Sequence, residues 1–408
     1  MISQGTLQRT FAALQHPNYR LWFIGQTVSL FGSWMQSTAQ GFLVYQLTHS
    51  SAYLGYVAFA SGLPIWLFML FAGVVADRMP RRTLLMITQT GMMILAFLLT
   101  ALTFSGLVQP WHIVVLAFFL GLANAFDAPA RLAFVMELVN RDDLTNAIAL
   151  NATMFNLATA VGPAVAGLTY AAFGPGWCFL LNGISFLAVI GALLRMRLKS
   201  FVPQERKSSA LFDLREGLRF VFSQSAVRTI MLFVAVFSLF GISFITLFPA
   251  WAVKVLGGNA TTNGLLQSAR GLGALISALT LASMSRTLFK GRSFTIGTFA
   301  FPLCLLLFSF MVWLPLSLLA LVALGAAQIL IMNLANNFLQ TLSPDALRGR
   351  VMSVFSLLFF GFMPIGGLLT GGLADQIGEP LTVMAGGSIV LLMAALVYLF
   401  QPRIRSLR

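Results

Sequence analysis

The stretch Gly73-Val-Val-Ala-Asp-Arg-Met-Pro-Arg-Arg82 is a short charged gap between two long apolar segments. The segment before it covers residues 52–76, and the segment after it covers residues 83–105. Each is long enough for a helix that crosses the bilayer, which takes about 20 mostly apolar residues. The pattern therefore predicts two membrane-spanning helices that are joined by a tight, positively charged loop.

The same alternation of apolar segments and polar gaps runs along all 408 residues. Because a backbone in hydrocarbon must satisfy its hydrogen bonds internally, each apolar segment is predicted to be a helix. The predicted fold class is an all-α membrane protein with twelve transmembrane helices. The spans, numbered one to twelve, cover residues 20–46, 52–76, 83–105, 111–131, 145–172, 177–197, 228–255, 263–284, 294–313, 315–340, 348–374 and 380–400.

The basic residues are confined to every second gap. Of the 25 Lys and Arg residues, all but Lys254 and Arg270 lie in gaps on one side of the predicted membrane. Cytoplasmic loops carry an excess of Lys and Arg, so this side is predicted to be the cytoplasm, and both termini lie there. We expect a multi-pass protein of a bacterial-type inner membrane.

Composition excludes several classes of protein. The chain is 58% hydrophobic and only 9% charged, which is incompatible with a water-soluble globule. The net charge of +14 comes from short scattered gaps, which suits anionic lipid headgroups better than nucleic acid. The two Cys and three His residues have no metal-ligand spacing, and no His, Asp or Glu lies at mid-membrane for an intramembrane enzyme. We expect no enzyme activity, metal or cofactor.

The gap 198–227 is the longest and divides the chain into two halves. Within it Leu211, Leu214 and Leu218 recur at helical spacing between charged residues, which predicts an amphipathic helix at the inner membrane surface. The predicted domains are an N-terminal six-helix bundle at 1–197, this cytoplasmic linker at 198–227, and a C-terminal six-helix bundle at 228–408.

The two halves look like repeats of one another. The pair Gly162-Pro163 in span five is echoed by Met363-Pro364 in span eleven, and the charged residues that lead into the two spans also correspond. Duplicated six-helix halves are typical of transporters that rock about a site at the membrane midplane.

The gap that begins at Gly73 resembles the signature of the loop between spans two and three in the major facilitator superfamily. That signature is Gly, three residues, Asp-Arg, two residues and two basic residues; Pro80 stands here where the pattern usually has Gly. The resemblance implies the major facilitator fold, with two pseudo-symmetric six-helix bundles, and a latch that holds the cytoplasmic face shut. The alternative is a generic positively charged loop. The implied latch residues are Gly73, Asp77, Arg78, Arg81 and Arg82, with Asp127 and Arg131 in span four.

Span five carries Gly162-Pro163-Ala-Val-Ala-Gly167, which resembles the Gly-Pro motif of antiporters in this superfamily. A proline inside a helix removes a backbone hydrogen bond and bends the helix, and small residues allow close packing. Gly162, Pro163 and Gly167 are therefore predicted to form a helix kink, with Pro364 in the equivalent place of the other half. The resemblance favours export, and the alternative is an ordinary small-residue packing surface.

The run from Phe126 to Asn151 and the segment Phe179-Leu-Leu-Asn182 are similar to one branch of the superfamily, which holds enterobactin (siderophore) exporters and macrolide-efflux-type proteins. The similarity covers most of the N-terminal half and is weaker in the C-terminal half. One position departs from the branch: Thr159 stands where an Arg is common. If that Arg contacts the substrate in the branch, this chain makes the contact in another way.

Polar residues within the spans mark a candidate substrate cavity, because polar groups in hydrocarbon are costly and usually functional. Gln36 and Gln40, for example, lie four positions apart in span one and so share one helix face. The superfamily fold places spans one, four, seven and ten around a central cavity. The alternative role for these amides is hydrogen bonding between helices. The candidates are Gln36, Gln40, Asn124, Asn151, Asn156, Asn333 and Asn337.

Spans seven and eight add an aromatic stripe and a charge. Phe240 and Phe244 belong to a row of phenylalanines at helical spacing, which is either a cavity wall or a packing or lipid-facing surface. Arg270 lies inside span eight, where an unpaired Arg costs at least about 2.5–3.5 kcal/mol on insertion scales. We expect it to face the cavity and meet an anion, a carbonyl cluster or an acidic ligand; the alternative is snorkelling to the outer interface.

Together these features predict a secondary active transporter that exports a small amphipathic molecule, of the siderophore or hydrophobic-drug class, by alternating access. The alternative is a lipid or lysophospholipid flippase of the same fold. A proton is the expected coupling ion, and Asp127, about a turn inside the end of span four, is the acid nearest to mid-membrane. The expected partners are the small-molecule substrate and membrane lipids, and the chain is expected to be a monomer.

Overall fold

A computed structural model describes residues 11–198, 210–284 and 289–405 of the chain. These residues form long helices, and no β-strand occurs among them. The long helices are numbered in chain order, and α7 includes several irregular turns. They are α1 Pro17–Thr48, α2 Ser51–Arg78, α3 Arg81–Phe104, α4 Pro110–Leu138, α5 Leu144–Phe173, α6 Pro175–Arg195, α7 Ser225–Val255, α8 Ala260–Met284, α9 Lys290–Ser309, α10 Leu314–Leu342, α11 Asp345–Ile377 and α12 Glu379–Phe400.

Ten helices of the described part are long and apolar enough to cross a membrane. The two others are α1, with 32 residues, and α8, with 25. Both are long enough to span the hydrocarbon core, but buried polar side chains such as Gln26 and Gln36 in α1 and Asn263 and Arg270 in α8 lower their hydropathy. A multi-pass membrane protein is therefore confirmed, while the count of twelve spans stays a prediction.

Two of the predicted span boundaries are wrong by several residues. Span four is predicted to end at 131, but α4 continues to Leu138 with Pro129 inside it. Span nine is predicted to end at 313, but α9 ends at Ser309, and the apolar residues 310–313, most of them exposed, form the turn into α10. Hydropathy alone cannot distinguish an apolar turn at the membrane boundary from the last turn of a helix.

Helices α1–α6 pack on one another in one bundle, and α7–α12 do so in a second bundle with equivalent pairings. The pairs α2–α4 and α3–α6 of the N-terminal half correspond to α8–α10 and α9–α12 of the C-terminal half. The two halves meet through α5 against α8 and through α2 against α11, which are again equivalent pairs. The fold is thus two pseudo-symmetric six-helix bundles.

The contact between α5 and α8 depends on a close approach at Gly264. A Cβ atom at this position would lie 2.3 Å from the carbonyl oxygen of Pro163, so only glycine fits without a shift of one helix. The Ala164 N–H donates a hydrogen bond across the same contact to Ser268 Oγ at 2.9 Å. Pro163 lies inside a continuous α5, and the helix kink predicted there stays a prediction.

Helix α7 is irregular, and its phenylalanines form the core of the C-terminal half. The helix widens to π-helical turns at Phe237–Ile242 and tightens to 3-10 turns at Ser243–Leu247. Phe237 and Phe244 are at most 2% exposed and pack against Phe301 and Phe308 of α9. The aromatic stripe therefore matches the packing alternative rather than a cavity wall in this conformation.

The linker contains a helix at Ala210–Ser223, which we call the linker helix and which packs against α11. Arg350 of α11 donates a hydrogen bond to Asp213 at 2.8 Å and forms an ion pair with Glu216. Some of the predicted basic gaps lie outside the described residues. The Lys and Arg residues outside are Arg9, Lys199, Arg206, Lys207, Arg286 and Arg408.

Candidate functional site

A cavity of about 800 Å³ lies between the two halves. Much of its wall is aliphatic or aromatic, with Leu120 and Phe186 from one half and Leu357 and Phe360 from the other. Such a cavity, apolar in bulk with a few neutral hydrogen-bonding groups, suits an amphipathic ligand. Its neutral polar lining consists of Ser33, Gln36, Ser37, Ser61, Asn124, Asn182, Thr246, Ser353 and Ser356.

The cavity extends toward one end of the helices only. We call this the basic end, because Arg78 and Arg348 lie there, and the other the opposite end. The wall runs from Gln36 near the middle of α1 to Gly73 near the end of α2 and to Asp213 of the linker helix. None of the residues that line this cavity belongs to the helix turns at the opposite end.

A polar cluster joins the halves at the opposite end. Asp375 of α11 accepts hydrogen bonds from the Ser51 N–H at 2.6 Å and the Ala52 N–H at 3.2 Å, at the N-terminus of α2. Glu379 Oε1 accepts hydrogen bonds from Ser51 Oγ and from Lys254 Nζ, each at 2.7 Å. Because carboxylates are stabilised at helix N-termini, this opposite-end cluster holds α2 of one half against α11 and α12 of the other.

Sequence reasoning missed Glu379 and Ser51. Both lie at helix ends in short gaps, where polar residues are normally solvated and carry no signal. The available signal was Lys254, a basic residue on the side from which Lys and Arg are otherwise absent. A cation in such a place indicates an acidic partner, and Glu379, which is only 4% exposed, is that partner.

Two of the predicted cavity residues line this cavity. Gln36 Oε1 accepts a hydrogen bond from Asn182 Nδ2 at 2.7 Å, so the two amides form one polar patch on the wall. Asn124 lies on the facing α4 and donates to the Leu120 carbonyl of its own helix at 3.0 Å. Asn182 was not among the predicted residues, although an amide in the middle of span six was visible in the sequence.

The other predicted cavity residues line neither this cavity nor a smaller neighbouring pocket that contains Asp127. The physical reason is that a helix has several faces, and packing aims some of these side chains at neighbouring helices. Gln40, for example, is 5% exposed. The residues outside both linings are Gln40, Asn151, Asn156, Phe240, Phe244, Arg270, Asn333 and Asn337.

Arg270 is buried inside the protein, with 9% of its surface exposed. Its Nη1 donates a hydrogen bond to Gln328 Oε1 of α10 at 3.2 Å, and its Nε has no hydrogen-bond partner among the described residues. The snorkelling alternative does not fit a side chain buried in this way. No carboxylate of the described residues pairs with Arg270, and a buried guanidinium without such a partner is costly, which makes Arg270 a candidate for a function.

A side pocket of about 230 Å³ lies in the N-terminal half next to the large cavity. Asp127, which is 1% exposed, accepts hydrogen bonds at Oδ1 from Thr88 Oγ1 and from Gln89 Nε2, each at 2.9 Å. Arg131 approaches the other carboxylate oxygen, Oδ2, to 3.8 Å. The side pocket is lined by Gln26, Ser29, Leu30, Ser33, Trp34, Ser37, Gln89, Met92, Asn124, Asp127, Arg131, Phe155 and Phe186.

The predicted latch residues lie in two places in the N-terminal half. Gly73, Asp77, Arg78, Arg81 and Arg82 lie at the basic ends of α2 and α3. Asp127 and Arg131 line the side pocket; because α4 continues to Leu138, Asp127 lies about three turns inside its helix and not one turn as predicted. Arg81 forms an ion pair with Glu137 of α4. Arg82 donates to the Leu194 carbonyl of α6 at 3.1 Å. These partners belong to the same half, so in this conformation the two arginines connect helices within one bundle. Gly73 lines the large cavity, and Asp77 and Arg78 form the last turn of α2.

Comparison with protein-family models matches residues 8–406 to the transmembrane secretion effectors, a family of the major facilitator superfamily. The chain belongs to the major facilitator superfamily. Its members transport solutes across membranes, so this chain is a transporter of small molecules and not an enzyme.

Three curated relatives of this transporter match nearly full length. It is 30% identical over 387 residues to the multidrug efflux pump Tap of Mycolicibacterium fortuitum, which covers 92% of this chain and 93% of Tap. It is 26% identical to the enterobactin exporter EntS of Escherichia coli O1:K1, over 96% of this chain and 94% of EntS. It is 24% identical to the staphyloferrin A transporter of Staphylococcus aureus strain NCTC 8325, over 94% of this chain and 96% of that transporter.

Solved structures of other superfamily transporters share the fold. A POT family transporter in complex with 5-aminolevulinic acid superposes with a TM-score of 0.74 at 13% identity, over 95% of this chain and 96% of that chain. The nucleoside transporter NupG superposes with a TM-score of 0.73 at 16% identity, over 94% of this chain and 98% of NupG. At these identities the likeness concerns the fold alone.

Proposed function

We propose that this transporter exports a small amphipathic molecule, of the siderophore or hydrophobic-drug class, by alternating access. The observation that carries the proposal is the pairing of two features: the large cavity extends to the basic end, and the opposite-end cluster joins the halves at the other. Alternating access requires a binding site that is reachable from one side of the membrane while it is closed on the other.

The basic end is assigned to the cytoplasm. Arg78, Arg81, Arg82, Arg348 and Arg350 lie at this end, and an excess of Lys and Arg is the established mark of cytoplasmic loops. Both termini are then cytoplasmic, and the cavity faces the cytoplasm. The curated relatives come from bacteria, which supports location in a bacterial inner membrane.

Two groups of contacts would alternate during transport. The opposite-end cluster holds the outer side shut in the present conformation. When it opens, the halves 1–197 and 228–408 rock about the α2–α11 and α5–α8 contacts, while 198–227 links them. The latch of Gly73, Asp77, Arg78, Arg81 and Arg82, with Asp127 and Arg131, then holds the cytoplasmic side shut. Of these, Arg81 and Arg82 exchange their present partners in the N-terminal half for partners in the other half.

The rest of the predicted site is assigned to the outward-facing conformation. Helices α1, α5, α7, α8 and α10 must expose new faces when the outer side opens. The residues that would join Gln36 and Asn124 on the cavity wall are Gln40, Asn151, Asn156, Phe240, Phe244, Arg270, Asn333 and Asn337.

A proton is assigned as the coupling ion, moving inward as the substrate leaves. Asp127 supports this assignment, because it is a carboxylate that is buried next to the cavity and has one oxygen without a hydrogen-bond donor. Inward movement of one proton contributes about 2.3 kcal/mol per 100 mV of membrane potential. The protein works as a monomer in this proposal, since each half already contributes to one cavity.

Counterflow by the purified protein in liposomes tests the proposal. Vesicles preloaded with unlabelled enterobactin, erythromycin or ethidium should take up the labelled form of at least one of them, and an internal pH dye should report proton movement linked to that flux. Empty liposomes are the control. Counterflow of none of the three would overturn the proposal, and transfer of lysophosphatidylcholine alone would establish the flippase alternative instead.

A further inference from the structure

The side pocket contains buried hydrogen-bond acceptors that have no donor. Asp127 Oδ2 and Gln89 Oε1 are each buried and accept no hydrogen bond from any described residue, and the same holds for Gln26 Oε1. The three side chains are between 1% and 2% exposed, and all of them line the pocket. Buried acceptors of this kind are costly unless a ligand or water donates to them.

The chemistry of Gln89 requires its free atom to be an acceptor. Asp127 Oδ1 can only accept, so the Gln89 atom at 2.9 Å from it must be the amide nitrogen. The other amide atom of Gln89 is therefore the carbonyl oxygen, which has no partner. A ligand at this position must be a hydrogen-bond donor.

The charges around the two cavities are acidic, although the chain as a whole is strongly basic. Among the Lys and Arg residues that the structure describes, Arg131 alone lines either cavity, while Asp127 and Asp213 do so among the described acidic residues. Asp213 is paired with Arg350 at 2.8 Å. Asp127 instead has Arg131 at 3.8 Å, which is within ion-pair distance but beyond hydrogen-bonding distance, so Oδ2 has no hydrogen-bond donor.

Aromatic rings complete the surroundings of a cation. Trp34 and Phe155 line the side pocket and meet edge to face, with ring centroids 5.9 Å apart. Phe186 lines it from α6. The faces of such rings attract ammonium groups, and a desolvated contact of this kind contributes about 2 kcal/mol.

The side pocket and the large cavity are neighbours, since Ser33, Ser37, Met92, Asn124 and Phe186 line both. A head group in the pocket of about 230 Å³ can therefore be joined to an apolar body in the cavity of about 800 Å³. We infer that the side pocket binds the protonated amine of the exported molecule through Asp127, Gln89 and Gln26. The inference rests on the proposed export function and narrows its substrate class to lipophilic amines, which excludes acidic siderophores.

Equilibrium binding to the purified protein in nanodiscs, measured by titration calorimetry without any gradient, tests the inference. The probes are 4-phenylbutylamine, its N,N,N-trimethyl derivative and 4-phenylbutanol. The first is a cation that donates hydrogen bonds, the second is a cation without donors, and the third is neutral. We expect the primary amine to bind most tightly and the alcohol most weakly, because only the amine satisfies both the charge and the acceptors.

Three variants and one control separate the contributions. Gln26→Leu should weaken binding of the primary amine about tenfold or more, with little effect on the trimethyl derivative, because only the primary amine donates to this oxygen. Gln89→Leu removes an acceptor and also the donor to Asp127 Oδ1, so it should weaken the primary amine more than the trimethyl derivative. Asp127→Asn should weaken both cations and spare the alcohol. Gln15→Leu, at an exposed position that lines neither cavity, should change none of the three affinities.

The possible outcomes distinguish this inference from the proposed function. Equal affinity for the amine and the alcohol, or glutamine variants that bind the amine as the parent protein does, would overturn the inference even if counterflow of another solute is observed. Amine binding that depends on Gln89 and Asp127 supports the inference. Absence of counterflow for every solute would overturn export while leaving the binding result to be judged on its own.

Discussion

Lys254 Nζ lies 2.7 Å from Glu379 Oε1, and Ser51 of the other half donates its hydroxyl to the same oxygen. This shared oxygen ties α2 to α12 across the contact between the halves. Lys254→Met removes the cation beside Glu379. Because Glu379 is only 4% exposed, its carboxylate then carries a buried negative charge without its ion-pair partner. We expect Lys254→Met to destabilise the closed outer side by about 1–3 kcal/mol and shift the protein toward the outward-facing conformation.

Spin-label distances across the outer side of α2 and α11 measure that shift. The double variant Lys254→Met with Glu379→Gln removes both charges and should lie closer to the parent protein than Lys254→Met alone. Identical distance distributions in the parent and Lys254→Met proteins would show that the ion pair does not hold the outer side shut.

The variant Asp77→Asn tests the proposed latch at the cytoplasmic side. Asp77→Asn removes a charge in the last turn of α2 and should abolish net efflux without affecting insertion, because the cytoplasmic side then no longer closes. Efflux from cells and the amount of protein in the membrane are the two measurements. Asp142→Asn, an exposed acidic position at the same end, is the matched control and should transport normally. Full efflux by Asp77→Asn would remove the latch from the mechanism.

Gly264 tests the contact between α5 and α8. A Cβ at this position would lie 2.3 Å from the Pro163 carbonyl oxygen, so Gly264→Ala should destabilise the protein by about 1–3 kcal/mol. At Gly91 of α3 no atom beyond the adjacent residues and the helix's own backbone lies within 4 Å of an added Cβ, so Gly91→Ala should instead stabilise by about 0.5–1 kcal/mol. Thermal unfolding in detergent measures both. Equal melting temperatures for the two variants would contradict the close approach at Gly264.

Arg270 is expected to contribute to function at the expense of stability. Arg270→Leu removes a buried guanidinium that costs at least about 2.5–3.5 kcal/mol on insertion scales, so the variant should unfold at a higher temperature. The same variant should lose efflux, because Arg270 is assigned to the outward-facing cavity. Gln328→Leu removes only the hydrogen-bond acceptor of Arg270 and should lower the melting temperature. A stabilised Arg270→Leu protein with normal efflux would place Arg270 outside the transport site.

Cysteine labelling tests the orientation in the membrane. In a background without Cys178 and Cys304, Asn259→Cys should react with an impermeant maleimide from outside the cell, because the gap before α8 is assigned to the outer side. Asn140→Cys is an exposed matched position in a gap at the basic end, and it should react only in inverted vesicles. Reaction of Asn259→Cys only from the cell interior would reverse the assigned topology.

The helices of the fold could be predicted from the sequence because the bilayer imposes local rules. A span needs a minimum run of apolar residues, and this rule uses only residues that are adjacent in the chain. It was less reliable at the ends of spans, as where α4 continues to Leu138 and where an apolar turn at 310–313 follows α9. The side chains of α1 and α8 are more polar because they face the protein interior, and hydropathy alone leaves these two helices below the limit for a span.

The candidate site was only partly visible in the sequence. Helical spacing shows that Gln36 and Gln40 share a helix face, but not that Gln36 lines the cavity while Gln40 does not. Gln89 was not predicted at all, since it is a single amide in span three and no nearby residue in the sequence indicates a role for it. Its importance comes from Asp127 on another helix, 38 positions away in the chain.

The sequence by itself determined that the chain crosses a membrane several times and that it belongs to the superfamily, because these properties depend on composition and short motifs. The tertiary structure alone decided which polar groups meet: Glu379 with Ser51 and Lys254, and Gln89 with Asp127. Such pairs depend on how distant helices pack and rotate against one another, and no local pattern of residues specifies that rotation.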